Sequence, residues 1–177
     1  LIGEGAFHGS TDPGKDLDQV YTVSQTSEPT SAGILASLKT GRVYAVARGD
    51  QNTLLQLDEF RVLNNGQSAR IGETLHGSTS GSIILRVGVS AVDGKPYVAK
   101  LRIIRSGHII REVEGQTPLQ VEFVDPKAQR EEWVNYRVEV VGRGGELLTN
   151  PIYVSPTMAQ TQANPNDWPF ASEPSLR

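Results

Sequence analysis

The amino-acid sequence predicts a mainly β protein: an antiparallel β-sandwich of seven or eight strands, preceded by a short α-helix. Two observations support this fold class. Apolar and polar residues alternate through most of residues 43–155, as strands with one buried face require. The connections between the alternating segments are short and glycine-rich, and such connections favour antiparallel neighbours over helical crossovers. We therefore expect sheets packed face to face around an apolar core.

The first predicted element is a helix at about residues 30–39. Its apolar residues Ile34, Leu35 and Leu38 fall on one face at a spacing of three to four. Serine and threonine residues just before it supply N-cap candidates, and Gly41 follows where a helix C-terminus favours a residue that tolerates positive φ. A cap is thus predicted at each end of the helix.

Eight segments then alternate with the period of a strand. They are 42–48, 55–62, 82–91, 97–105, 108–113, 119–124, 136–141 and 147–154. Turns are predicted where glycine follows polar residues, at 64–66, 92–95, 105–108 and 142–145. Strands at this spacing without helices between them suggest an immunoglobulin-like shape. Because the sequence contains no cysteine, the Cys-Trp-Cys signature of true immunoglobulin domains is absent.

Changes in composition along the chain predict three parts. Residues 1–42 are expected to be the remnant of a different domain, 43–155 the sandwich, and 156–177 a polar, proline-rich tail. Trp168 and Phe170 in the tail are expected to pack against the sandwich or an adjoining domain, because burial favours their apolar surface. Since the chain does not begin with methionine, we expect a cut-out or processed product of a longer protein.

The charge and residue composition exclude several classes of function. A net charge of -3 with a pI near 5.6 provides no field that would attract nucleic acid or an anionic membrane. The absence of cysteine excludes disulfides, zinc ribbons and thiol nucleophiles. No apolar run approaches the roughly 20 residues that cross a bilayer, so no membrane-spanning segment is predicted. The mixed-charge stretch 125–132 suggests a solvated loop.

The candidate metal site lies at residues 7–14, where His8 and Asp12 occur in a segment with glycine and proline. An imidazole and a carboxylate close in sequence can share a divalent ion, and the glycines let the loop fold around it. The alternative is a loop histidine and a turn-forming aspartate before Pro13. Two ligands are too few for a catalytic metal, which requires at least three protein ligands. We therefore predict no catalytic residue in this chain.

The remaining candidates have simpler interpretations. His76, next to a glycine at a strand end, and His108, in a predicted hairpin, are expected to be ordinary exposed or hydrogen-bonded residues. Ser10 has neither a supporting base nor an elbow motif. The sequence Gly-Glu-Gly at 3–5 is not a phosphate-binding loop, because no strand precedes it and no lysine follows in register.

Residues 32–46, with the sequence AGILASLKTGRVYAV, follow the segment of His8 and Asp12 after a linker that contains proline and threonine. This order resembles the closing stretch of PHP-type (polymerase and histidinol phosphatase) metal-dependent phosphoesterases. In that family, an Asp-x-His metal-binding segment precedes a helix of the form ILxALKxGRxY and then a strand. The resemblance covers about residues 6–47.

One branch of that family carries a C-terminal β-sandwich, and three phrases similar to ones in that domain occur here in the same order. They are GETL at 72–75, LRIIRSGHIIREV at 101–113, which is similar to IELIRNGEVV, and TNPIYV at 149–154. The resemblance thus extends to about Val154. It implies a parent enzyme whose N-terminal barrel domain binds a divalent metal (Zn, Mn or Mg) and hydrolyses phosphate esters or related bonds.

The metal-binding segment departs from the family pattern. The family places an Asp two residues before a His, whereas here His8 lies four residues before Asp12. The resemblance makes Asp12 the counterpart of the ligand Asp and His8 a weaker counterpart, and it places the other ligands in barrel strands outside this sequence. The implied function is a non-catalytic accessory β-sandwich whose partner is the barrel domain of the parent.

Two alternatives stay open. In the first alternative, the chain is a stand-alone binding or adhesion module of a surface protein, with a carbohydrate or protein ligand. In the second, it is a structural spacer without a ligand. Exposed aromatic residues aligned on one sheet would favour carbohydrate binding. The aromatic residues in or beside strands are Tyr44, Tyr97, Trp133, Tyr136 and Tyr153. Their alternation suggests that they lie mainly in the core.

Overall fold

The computed structural model describes residues 19–50, 52–77, 82–126 and 133–156. These residues form one helix and twelve strands, which we number in chain order. The helix is α1 (Ser31–Thr40). The strands are β1 (Val20–Ser24), β2 (Val43–Arg48), β3 (Leu55–Asn64), β4 (Gln67–Arg70), β5 (Thr74–Gly77), β6 (Ile83–Ala91), β7 (Val98–Arg105), β8 (His108–Gln116), β9 (Leu119–Asp125), β10 (Val134–Gly142), β11 (Gly145–Thr149) and β12 (Ile152–Pro156). The prediction of a mainly β chain with one short helix is confirmed.

The strands form two sheets. The larger sheet has eight strands in the order β1-β2-β11-β10-β12-β5, with β7 paired to β10 and β8 paired to β7. The smaller sheet has four strands in the order β4-β3-β6-β9. Within the described residues the strand pairs are antiparallel except β5 and β12, which run parallel. Side chains from both sheets form a single buried cluster, as in a β-sandwich.

The core follows from the alternation in the sequence. In β6, the side chains of Leu85, Val87 and Val89 are at most 1% exposed, whereas Arg86 between them is exposed. Leu101 of β7, in the other sheet, is fully buried in the same cluster. Burying one such apolar side chain contributes about 1.5–3 kcal/mol relative to leaving it in water. Apolar burial between the sheets is thus the main stabilising term.

Two hairpin turns have the backbone that glycine-containing connections predict. Asn65 and Gly66, between β3 and β4, have φ angles of 48° and 81°. Ser106 and Gly107, between β7 and β8, have φ angles of 45° and 87°. Two successive residues with positive φ are typical of the type I′ turn, whose twist matches that of antiparallel strands. Both predicted turns are therefore confirmed.

The segment 147–154, predicted as one strand, is divided in the structure. Asn150 and Pro151 separate β11 from β12. Pro151 has no amide hydrogen to donate to a neighbouring strand, and the side-chain amide of Asn150 donates to the Gly41 carbonyl at 2.9 Å. The break lets β11 pair with β2 and β12 pair with β5.

Three strands in the structure are absent from the eight predicted segments, namely β1, β4 and β5, although the sequence placed His76 of β5 at a strand end. β1 has five residues, and β4 and β5 have four each, which is too short for alternation to be recognised with certainty. β1 lies in the segment 1–42 and pairs with β2 from Val20 opposite Ala47 to Ser24 opposite Val43. The larger sheet therefore begins upstream of Val43.

The interpretation of 125–132 as a solvated loop is wrong for Asp125. Its side chain is 2% exposed, and its carboxylate accepts hydrogen bonds from Arg105 at 3.0 and 3.1 Å and from the Tyr136 hydroxyl at 2.8 Å. Arg105 belongs to the larger sheet and Asp125 to the smaller one, so this buried ion pair joins the two sheets. Residues 127–132 lie outside the described residues.

Candidate functional site

Helix α1 is capped at both ends as the sequence predicts. The Thr30 hydroxyl accepts a hydrogen bond from the Gly33 amide at 3.1 Å. At the other end, Gly41 has a φ of 72°, and its amide donates to the Leu38 carbonyl at 3.3 Å. A ten-residue helix is marginally stable by itself. Its contacts with the sandwich are therefore needed to hold it in place.

The side of α1 that meets the chain before it consists of small and polar residues. Ser37 is 4% exposed, and its hydroxyl donates to the carbonyls of Gln25 at 3.3 Å and Gly33 at 3.1 Å. A Cβ atom on Gly33 would lie 2.2 Å from the carbonyl oxygen of Glu28, so only glycine fits there. The helix thus packs by close backbone approach rather than through apolar side chains.

The last turn of α1 is fixed to the larger sheet in the same way. Asn150, between β11 and β12, donates its side-chain amide to the Gly41 carbonyl at 2.9 Å. A Cβ atom on Gly72, just before β5, would lie 2.2 Å from the Thr40 carbonyl oxygen. Because Gly72 has a φ of 78°, this position requires glycine both for its backbone and for space. These contacts set the orientation of the helix.

The apolar side of α1 points away from the sandwich. Ile34, Leu35 and Leu38 are 44%, 56% and 40% exposed, and Ser37 is the one buried residue of the helix. A surface helix ordinarily turns its apolar stripe to the core and its polar residues to water. Helix α1 does the reverse, and contiguous exposed apolar side chains are typical of a surface that a partner covers. We call Ile34, Leu35 and Leu38 the apolar face of α1.

A cleft with a volume of about 730 Å³ lies between the segments that flank α1 and the smaller sheet, and we call it the charged cleft. Its walls come from the connection between β1 and α1, from β3, and from the region of β4 and β5. Its charged lining residues are Arg42, Asp58, Glu59, Arg61, Arg70 and Glu73. Arg42 and Glu73 approach to 3.1 Å, and Arg61 and Glu59 to 3.4 Å. Both pairs are solvent-exposed, so each contributes at most about 1 kcal/mol to stability.

Two aromatic side chains in or next to the larger sheet are exposed, Trp133 at 59% and Tyr153 at 42%. Tyr153 is the cross-strand partner of Asn135 in β10, and Trp133 immediately precedes β10. The exposed His76 pairs with Ser155, two residues beyond Tyr153, and its Nδ1 lies 2.8 Å from the serine Oγ. We call His76, Trp133 and Tyr153 the aromatic patch.

The other strand aromatics have structural roles. Tyr44 and Tyr136 are 4% and 0% exposed, as the expectation of core aromatics requires, and that expectation is wrong for Trp133 and Tyr153. Burial raises the pKa of Tyr44. The half-buried Tyr97 donates its hydroxyl to Asp93 at 2.7 Å, and this hydrogen bond lowers the pKa of Asp93 while it raises that of Tyr97.

The predicted metal ligands His8 and Asp12 lie outside the described residues, as do Ser10 and the glycines at 3 and 5. His108 begins β8 and is exposed next to the hairpin turn. Across the four described ranges, no three histidine, aspartate or glutamate residues come together in a way that could hold a metal ion. The site of His8 and Asp12 stays a prediction.

The apolar face of α1 was visible in the sequence, but its direction was not. The spacing of Ile34, Leu35 and Leu38 shows that the helix has an apolar side, whichever way that side points. The signal that was missed is the pair Gly33 and Ser37, four residues apart on the opposite side. A glycine and a serine on one helical face indicate that another backbone approaches that face closely.

The comparisons with known proteins identify no relative. No family model, no curated protein and no solved structure matches the chain. Within the residues described by the structure, no helix is both long and apolar enough to cross a membrane.

Proposed function

We propose that the chain is a non-catalytic accessory β-sandwich of a metal-dependent phosphoesterase similar to the PHP-type family, and that α1 attaches it to the barrel domain of that enzyme. The observation that carries the proposal is the outward apolar face of α1. The segment that contains this helix, 32–46, is also the segment whose sequence resembles the end of the barrel. By sequence resemblance the helix therefore belongs to the barrel domain, whereas its contacts in the structure are with the sandwich.

The energetics favour such a junction. Complete burial of one leucine or isoleucine side chain contributes about 1.5–3 kcal/mol, and Ile34, Leu35 and Leu38 still have 40–56% of their surface available for burial. The caps and the contacts of Ser37 hold the helix in one orientation, which lowers the entropy cost of binding. A rigid helix with an exposed apolar face fits a permanent contact between domains.

The chemistry of hydrolysis belongs, in this proposal, to the barrel. A divalent ion bound there would activate water and polarise the phosphate ester. His8 and Asp12 are the residues of this chain that would contribute to such a site, and both lie outside the described residues. The role of the sandwich is to pack beside the barrel and to shape access to its site.

The non-catalytic assignment has a direct test. The purified chain is assayed with Mn²⁺ or Zn²⁺ against p-nitrophenyl phosphate, and we expect no turnover above that of the metal alone. Turnover by the purified chain that is abolished by Asp12→Ala would overturn the assignment. The same assay on Asp93→Ala, a carboxylate far along the chain, controls for a contaminating phosphatase.

The assignment to a parent enzyme is tested by the reading frame upstream of Leu1. We expect it to encode a few hundred residues with a His-x-His motif and further clusters of histidine and aspartate. A signal peptide joined directly to this domain would contradict the proposal and favour the stand-alone module.

A second candidate function is carbohydrate binding, which the aromatic patch favours. Exposed rings on one sheet face can stack on the apolar C–H face of a sugar while neighbouring polar groups, here Asn135, bond its hydroxyls. The chain has two tryptophans, so Trp168→Phe leaves Trp133 as the single tryptophan, whose emission is excited selectively over that of the five tyrosines. A shift of its emission on titration with a panel of oligosaccharides, lost in Tyr153→Ala, would support this function. An unchanged emission across the panel would exclude it.

A further inference from the structure

Three arginines stand side by side across the smaller sheet. Arg61 of β3 is the cross-strand partner of Arg70 on β4 and of Arg86 on β6. We call these three residues the arginine row. Like charges placed directly opposite one another destabilise a sheet, so this arrangement is unexpected for a surface that serves stability alone.

The arginine row lies on the outer face of the sheet. The side chains before and after each arginine point inward: Phe60, Val62, Ala69, Ile71, Leu85 and Val87 are all buried. Because successive residues of a strand point to opposite faces, the three arginines point outward. The side chains of Arg61 and Arg86 are 39% and 50% exposed. All three guanidinium groups are therefore accessible from solvent on one face.

Carboxylates balance the arginine row only in part. Arg86 pairs with Glu122 at 2.8 Å, and Arg61 contacts Glu59 at 3.4 Å. Glu73 lies near Arg70, but one of its oxygens accepts from the Arg70 backbone amide at 2.9 Å and the other pairs with Arg42 at 3.1 Å. Among the described residues, the three guanidinium groups of the row thus pair with two carboxylates, so the row itself carries one more positive than negative charge. The charged cleft as a whole is balanced, with three arginines and three carboxylates in its lining.

The row runs into the charged cleft, since Arg61 and Arg70 line both. Neighbouring strands are about 4.8 Å apart, so the guanidinium groups of two adjacent strands can contact one ligand together. Asp58, Glu59 and Glu73 also line the cleft and would repel an anion. Glu59 is held only by an exposed ion pair, and such pairs are weak enough for a stronger anion to replace.

We propose that Arg61 and Arg70, with Arg42 in the lining of the same cleft, form a binding site for the phosphate groups of a small ligand. A carboxylate carries one charge, and Glu59 and Glu122 each pair here with a single arginine. A phosphate group carries up to two charges and three acceptor oxygens at neutral pH, so it can bridge two guanidinium groups at once. None of the three arginines belongs to the apolar face of α1, so the site does not depend on the docking of that face.

The probe for this site is tripolyphosphate, titrated into the full chain by calorimetry at low salt. We expect saturable binding that Arg61→Gln and Arg70→Gln each weaken at least tenfold. The matched control is Arg102→Gln, which removes an exposed arginine that pairs with Glu112 at 2.8 Å on the other sheet and should bind as the wild type does. Glu59→Gln removes the competing carboxylate and should strengthen binding.

Several outcomes would overturn the site. Binding that is absent, or that Arg102→Gln weakens as strongly as Arg61→Gln, would show that the row has no specific role. Equal binding of an oligoglutamate peptide would show that the face selects negative charge rather than phosphate. Thermal unfolding checks the fold of each variant, and we expect Arg61→Gln to unfold at or above the wild-type temperature because it relieves repulsion within the row.

Discussion

Helix α1 and strand β7 both contain apolar and polar side chains, but they orient them oppositely. Strand β7 turns Leu101 and Ile103 to the core, whereas α1 turns Leu35 to solvent. In β7, Leu101 and Ile103 are fully buried, while Arg102 between them reaches solvent. In α1, Leu35 is 56% exposed, while Ser37 is 4% exposed. Leu101 and Ile103 are thus covered within this chain, whereas Leu35 is not. The comparison shows that the side chains between the two sheets are buried by the chain itself, while the apolar face of α1 lies on the surface, where we propose that a partner covers it.

The largest effect is expected at the ion pair that joins the sheets. Asp125→Ala removes the carboxylate that pairs with Arg105 between the sheets, and loss of one partner of a buried pair costs up to about 3–5 kcal/mol. Urea unfolding of the variant and the wild type measures this loss as a difference in the free energy of unfolding. Replacing both residues, as in Arg105→Met with Asp125→Leu, should recover part of the loss, although the Tyr136 hydroxyl loses its bond to Asp125 in this variant too. A cost for Asp125→Ala below about 1 kcal/mol would show that the pair is not an essential link between the sheets.

A matched pair of leucine substitutions tests the comparison between strand β7 and helix α1. Leu101→Ala is expected to lower the free energy of unfolding by about 2–5 kcal/mol, because it removes buried methyl groups and leaves a cavity. Leu35→Ala is expected to change it by no more than about 0.5 kcal/mol, as for other surface substitutions. Denaturant unfolding of the two variants side by side makes the measurement. Similar losses for both would mean that α1 packs through its apolar face within this chain.

Gly33→Ala tests how α1 is held. The new Cβ would lie 2.2 Å from the Glu28 carbonyl, so the helix or the preceding connection must move. Overpacking of this kind costs about 1–3 kcal/mol, which outweighs the gain of about 1 kcal/mol in helix propensity. The control is Ala36→Gly, which should cost about 1 kcal/mol from propensity alone. A stabilised Gly33→Ala variant would contradict the close approach.

The smallest effect concerns Glu112 on β8. Its pKa is lowered by the hydrogen bond from Arg102 and, after that, by Lys100. A carboxyl group whose pKa is lowered in the folded state stabilises the fold above its unfolded pKa, and this contribution disappears as the pH falls through the folded pKa. The wild type should therefore be slightly more stable than Glu112→Gln at about pH 7, and the difference should vanish well below the ordinary glutamate pKa of 4.5. A difference in stability between the two proteins that is the same at every pH would show that it does not come from the charge of Glu112.

Local patterns in the sequence account for most of the fold. Alternation identified the long strands such as β6, and the cap residues Thr30 and Gly41 identified α1. What local patterns missed depends on distant partners. Asp125 appeared solvated because its neighbours in sequence are charged, whereas its partner Arg105 lies 20 residues away on the other sheet. The direction of α1 was missed for the same reason, since it depends in part on the distant residues Gly72 and Asn150.

The candidate sites divide in a similar way. His8 and Asp12 were proposed from local spacing and a family resemblance, and they lie outside the described residues, so they remain predictions. The arginine row could not be predicted from the sequence, because its members are opposed only through the register of β4, β3 and β6. Strand register depends on pairing between distant segments, which a single sequence does not determine.

The most direct test of the central claim is the solvent accessibility of the Leu35 methyl groups, measured by their relaxation with a soluble paramagnetic agent. It is measured in this chain and in the product of the reading frame extended upstream. The account predicts strong relaxation in this chain, against weak relaxation of the buried Leu101, and protection of Leu35 in the longer product. Equal accessibility of Leu35 in both proteins would contradict the proposal that a neighbouring domain covers the apolar face of α1.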